Sequence, residues 1–117
     1  MTGKWYAERS GRMAERLEML KLRLTGWHIL GRRVKTWRGE IDLVARRGRT
    51  VVFFEVKWRS RPEDLDRAID HHRLKRVAAA VQAIAHRYVE DGDEMRIDVL
   101  LAAPGARTRR IENAWMP

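Results

Sequence analysis

The stretch from Gly39 to Arg59, GEIDLVARRGRTVVFFEVKWR, constrains the fold more than any other part of the chain. Apolar runs stand on either side of Gly48. The pattern predicts a β-hairpin, with residues 40–45 as one strand, a turn from Arg46 to Thr50 and residues 51–58 as the second strand. Side chains alternate across a strand, so Glu55 and Lys57 share a face with Val51 and Phe53, and Asp42 shares a face with Glu40. Charges that continue an apolar stripe cost free energy unless they are paired or hold a metal. That conflict marks the hairpin as the working part of the molecule.

With 117 residues, 44% of them hydrophobic, the sequence predicts a single domain over 1–117 with one modest core. There is no cysteine, which excludes disulfides and zinc-thiolate sites. No apolar run approaches the roughly 20 residues of a membrane span. Arg9, Arg12, Glu15 and Arg16 interrupt any signal-peptide core, so a cytoplasmic protein with no membrane partner is expected. The formal charge of +9 draws polyanions such as nucleic acid, although a solvated basic surface has the same composition.

Taken in order, residues 1–8 read as an arm. A helix is expected from about Gly11 to Leu24, closed by Gly26, with Met13, Leu17, Leu20 and Leu24 facing the core. Met19 and Leu22 lie on another side beside Glu15, which makes Glu15 either partly buried or an exposed partner of Lys21 or Arg12. Trp27 to Lys35 predicts a strand. Trp27 and Trp37 either cover the sheet, the favoured reading, or stack on bases. After a link containing Pro62, one long helix is expected from Glu63 or Asp64 to Val89. Its apolar stripe is Leu74, Val77, Ala78, Val81, Ile84, Ala85 and Tyr88. His71 and His72 are adjacent and point about 100° apart on a helix, so they read as surface residues rather than as a chelate. Met95–Ala102 predicts a strand, and residues 110–115 a short edge strand. The order α-β-β-β-α-β implies an α/β domain with a mixed central sheet flanked by helices.

Asp42 and Glu55 fall at matching depth on the paired strands, with Lys57 on the face of Glu55. Two carboxylates can hold a hard cation such as Mg²⁺ or Mn²⁺, with the Val56 carbonyl as a further oxygen ligand. Such an ion polarises a phosphodiester and activates water, and Lys57 can serve the water or the transition state. The blander alternative is a cross-strand ion pair between Glu55 and Lys57 or a nearby Arg.

Gly39-Glu40-Ile41-Asp42-Leu43-Val44-Ala45 and Val52-Phe53-Phe54-Glu55-Val56-Lys57-Trp58-Arg59 closely resemble the signature of the small YraN-like bacterial proteins. These are similar to the PD-(D/E)xK superfamily, near the archaeal Holliday junction resolvases. The resemblance extends to Gly11, Glu15, Gly26, Arg96-Ile97-Asp98 and Asn113-Ala114-Trp115. It departs at Glu18, Arg33, Arg73 and Ile97. It implies a restriction-endonuclease-like core and a metal-dependent endonuclease acting on DNA, branched DNA included. Asp42, Glu55 and Lys57 would then be the catalytic set, with Glu15 assisting from the first helix. Arg32, Arg33, Lys35, Arg38, Arg59 and Arg61 would hold phosphates. By analogy with resolvases a homodimer is expected. The alternative on the same fold is a nucleic-acid-binding accessory protein in recombination or repair, with little or no cleavage.

Overall fold

A computed structural model describes residues 3–115, with side chains from residue 11 onward. A helix, α1 (Gly3–Leu24), is followed by three antiparallel strands, β1 (His28–Thr36), β2 (Gly39–Arg47) and β3 (Thr50–Trp58). A 3₁₀ segment (Pro62–Ala68) and helix α2 (His71–Ile84) cross over to β4 (Glu94–Ala102), which runs parallel to β3. Strand β5 (Arg109–Ile111) closes the edge, giving one mixed sheet in the order β1-β2-β3-β4-β5. The expected α/β order and the hairpin are therefore present. The turn tightens to Gly48-Arg49, and Gly48 takes a positive φ of 61°, which glycine accommodates without strain.

The sheet packs between two helical layers. On one face Leu43, Ala45, Val52, Phe54 and Leu100 bury against Leu22 and Trp27. On the other, Ile41, Val44, Val51 and Phe53 meet the α2 stripe of Val77, Ala78, Val81 and Ile84. Phe53 and Phe54 are fully enclosed on opposite faces, each contributing about 2–3 kcal/mol by burial. A smaller cluster of Leu65, Ala68, Leu74, Val99 and Leu101 seats the 3₁₀ segment beside α2.

Three expectations about the helices are corrected. The first helix already runs from Gly3, where the sequence reads as an arm; residues 1 and 2 lie outside the described residues. Its core face is also different. Met13, Leu17, Leu20 and Leu24 stand 51–77% exposed, whereas Ala14, Glu18 and Leu22 are buried. Small Ala14 lets the helix approach the sheet closely. Glu18 is tolerated there because Thr108 and Lys21 donate to its carboxylate at 2.8 and 3.1 Å. Finally, the long helix after Pro62 is broken. Ile69 and Asp70 are extended, and the Asp70 carboxylate accepts the His72 N–H at 2.9 Å to start α2 anew. Another 3₁₀ turn follows at Ala85–Arg87.

Trp27 covers the sheet as expected, edge-on to Phe54 at 5.9 Å. Trp37 does not: it is 81% exposed. His71 is a surface residue, lying against the Trp115 ring at 5.1 Å.

Candidate functional site

The β2–β3 ladder ends early. Its last paired residues are Leu43 and Phe54, although β2 continues on β1 to Gly39 and β3 continues on β4 to Trp58. In the gap, the Asp42 carboxylate takes the place of a backbone partner and accepts the Val56 N–H at 2.7 Å. The sheet thus parts where the sequence puts its two acids.

Glu55 lies on the α2 side and is 2% exposed. Its Oε1 accepts from Arg73 Nε at 2.9 Å and lies 3.2 Å from Lys57 Nζ. Its Oε2 is buried without a hydrogen-bond partner. An unpaired buried carboxylate oxygen is costly, and a cation ligand removes that cost. Burial, and then the charge of Glu55, pushes the Asp42 carboxyl up to about 8. Two carboxylates this close supply the oxygen donors that a hard divalent ion takes. Among the described residues no three His, Asp or Glu side chains gather into a metal-binding group.

Glu15 reaches the site from α1. It is half-buried, and desolvation raises its pKa against the pull of Arg33, with Glu40 and Glu55 adding to the rise. It does not pair with Lys21, which goes to Glu18. Burial lowers the Lys57 pKa, while Glu55 opposes that shift. Arg73 had no assigned role in the sequence. One helical turn after the Asp70 cap, it swings over Glu55.

The expected phosphate-binding residues divide. Arg32 and Arg33 line a depression with Glu15, Arg12 and Arg16. Arg33 also pairs with Glu40 at 3.3 Å. Arg38 lines a groove with Gly39, Glu40, Arg73, Arg76 and Val77. Lys35 sits at the β1 edge opposite Glu40. Arg59 folds back onto the Trp58 carbonyl at 2.8 Å, and Arg61 is tied to Glu63 at 2.9 Å. These last two follow the C-terminal end of β3, where each is engaged in a local contact. Arg12, Arg16 and Arg76 were missed; only their place in the fold shows that they border the site.

Two other buried acids are structural. Asp98 is fully enclosed on the α1 face, held by Arg96, Arg110 and the Asn113 N–H. Glu18 is the second, described above.

The layered α/β architecture matches a resolvase-type fold. The chain is similar to the Holliday junction resolvase Hjc of the archaeal hyperthermophile Archaeoglobus fulgidus, with a TM-score of 0.61 at 20% identity, covering 88% of this chain and 72% of that one. Residues 14–102 match the uncharacterised protein family UPF0102. A UPF0102 protein of Erythrobacter litoralis is 62% identical over 111 residues, spanning 95% of this chain and 96% of the relative. One of Sphingopyxis alaskensis is 54% identical with the same coverage. The chain belongs to the UPF0102 family.

Proposed function

We propose that this chain is a divalent-cation-dependent endonuclease acting on nucleic acid, DNA in the first place. The observation that carries the reading is the buried Glu55 carboxylate, with one oxygen held by Lys57 and Arg73 and the other without a partner, across the parted strands from Asp42. Asp42 and Glu55 would hold Mg²⁺ or Mn²⁺, with the Val56 carbonyl as a further ligand. When bound, the ion supplies Lewis acidity toward a phosphoryl oxygen and a more acidic water. Lys57, with its ammonium destabilised by burial, would orient that water, accept its proton or offset charge on the phosphorus oxygens. Arg73 would keep Glu55 in place and present its remaining N–H groups to a phosphate. Glu15 would assist from α1. Arg32, Arg33, Lys35 and Arg38 would hold the strand near the acids, and Arg59 and Arg61 would extend the path.

A solved structure of similar fold is a Holliday junction resolvase, which makes four-way junctions the first substrate to try. Cutting two strands symmetrically would call for a homodimer, tested by sedimentation with and without junction. The decisive experiment incubates the chain with labelled junction, flap and duplex DNA and with RNA, in Mg²⁺ or Mn²⁺ and in EDTA. Cation-dependent cutting that disappears in Glu55→Gln supports the reading. Cutting at the wild-type rate by Glu55→Gln would overturn it.

One observation favours a second reading. Lys57 and Arg73 already neutralise Glu55 without any cation, so the same residues could form a stable cationic surface for an accessory binding protein. Tight, salt-sensitive binding with no cleavage under any cation would support that reading.

A further inference from the structure

The tip of the β1–β2 hairpin is only Trp37-Arg38, between Thr36 and Gly39. It is rigidly built. The Thr36 hydroxyl accepts the Arg38 N–H at 3.0 Å and donates to the Gly39 carbonyl at 2.8 Å. A φ of 143° at Gly39 reserves that corner for glycine. On this fixed turn Trp37 is 81% exposed, the most exposed of the large apolar side chains described. The Arg38 guanidinium lies 4.4 Å from its ring centroid. A turn residue has no folding reason to be an indole held in water, since burial is what makes tryptophan favourable.

The groove lined by Arg38, Gly39, Glu40, Arg73, Arg76 and Val77 starts at this tip. Arg73 lines it and also bonds Glu55, so a strand following the groove passes from the tip to the acids. The groove wall carries Arg38, Arg73 and Arg76 against Glu40 alone, which suits a phosphate backbone.

We infer that Trp37, backed by Arg38, is a stacking platform for one unpaired base of a nucleic acid whose backbone lies along this groove. The platform makes the protein prefer discontinuous DNA, such as a flap, gap or branch point, over continuous duplex. The inference rests on the nucleic-acid reading above. Base–aromatic stacking is sequence-tolerant, so the preference is for structure, not sequence. A base inside a continuous duplex is already stacked and gains nothing from the ring.

The test measures binding by fluorescence anisotropy, using the full chain and three probes: continuous duplex, the same duplex with a single-stranded flap, and a four-way junction. A 2-aminopurine at the branch reports stacking. The wild type should prefer the flap or junction by about tenfold or more. Trp37→Ala should lose that preference and the 2-aminopurine quenching, with duplex affinity within about twofold of wild type, and Trp37→Phe should keep most of both. Unchanged preference in Trp37→Ala, or an equal loss on all probes, overturns the platform. So does a shift of Trp37→Ala from dimer to monomer in sedimentation, which would make the ring a contact between copies. Wild-type chain that binds no probe overturns the nucleic-acid reading itself, a result distinct from unchanged discrimination by the variant.

Discussion

Asp42 carries the clearest titration in the site. Without a cation, the native chain keeps the Asp42 proton up to about pH 8, whereas the unfolded chain releases it near 3.8. The native state therefore binds the extra proton between those values, and stability should fall as pH rises across that window. Asp42→Asn should flatten this slope in urea melts. A divalent ion must displace the same proton. At about pH 6–7, Mg²⁺ binding should release about one proton, and apparent affinity should climb with pH until it levels near 8. Calorimetry in two buffers of different ionisation heat reads the proton directly, and its absence would remove Asp42 from the ligand set. Lys57→Ala should behave differently. It should abolish cleavage while leaving Mg²⁺ affinity within about threefold, because the ammonium acts on water and phosphate rather than on the ion. At this scale the proximity of Glu55 and Lys57 was legible because strand alternation alone brings them together. Glu18 and Asp98 were not, since a buried acid is identified by its partners. The Thr108 that satisfies Glu18 is 90 residues away in sequence.

Among the elements, α2 shows how a local cap serves the site. Asp70 starts the helix and so fixes the turn that carries Arg73. Asp70→Ala should cost about 1 kcal/mol in urea denaturation. It should also impair cleavage beyond that loss, because Arg73 would no longer sit over Glu55; unchanged turnover would separate the cap from the site. The sequence suggested one uninterrupted helix here because the acidic residues Glu63, Asp64 and Asp66 read as the first turn of the helix whose stripe begins at Leu74; Leu65 and Ala68 instead seat in their own cluster, and the helix restarts at Asp70. The hairpin was read correctly because its alternation and its Gly48 turn agree. Helix α1 misled for a physical reason. Its four-residue apolar row is a stronger pattern than the mixed face of Ala14, Glu18 and Leu22 that actually packs. Two substitutions distinguish the faces. Leu22→Ala should destabilise by about 2–4 kcal/mol, and Leu17→Lys by no more than about 0.5 kcal/mol.

For the whole molecule, one ion pair governs the end of the sheet opposite the acids. Arg46 grips the Asp93 carboxylate at 2.6 and 3.0 Å and also donates to the Tyr88 and Gly48 carbonyls. The Arg46 hydrogen bonds, with the Glu90 N–H, hold the Asp93 pKa down to about 2. Its stabilisation is therefore complete above the ordinary value of 3.8 and is lost as pH falls through 2. Asp93→Asn should be less stable at neutral pH and lack that acid-side decline, as thermal melts from pH 7 to pH 2 would record. The early end of the β2–β3 ladder then takes on a mechanical meaning. The sheet is a two-pronged fork: β1 and β2 form one prong, β3, β4 and β5 the other, and the Leu43–Arg47 pairing with Thr50–Phe54 is the stem. Asp42 stands on one prong and Glu55 on the other. The distance between the two acids is thus set by the angle of the prongs, which the stem controls. The Asp42–Val56 bond already laces the prongs at their root, so the opening widens only beyond it, toward the tip of the first prong that carries Trp37.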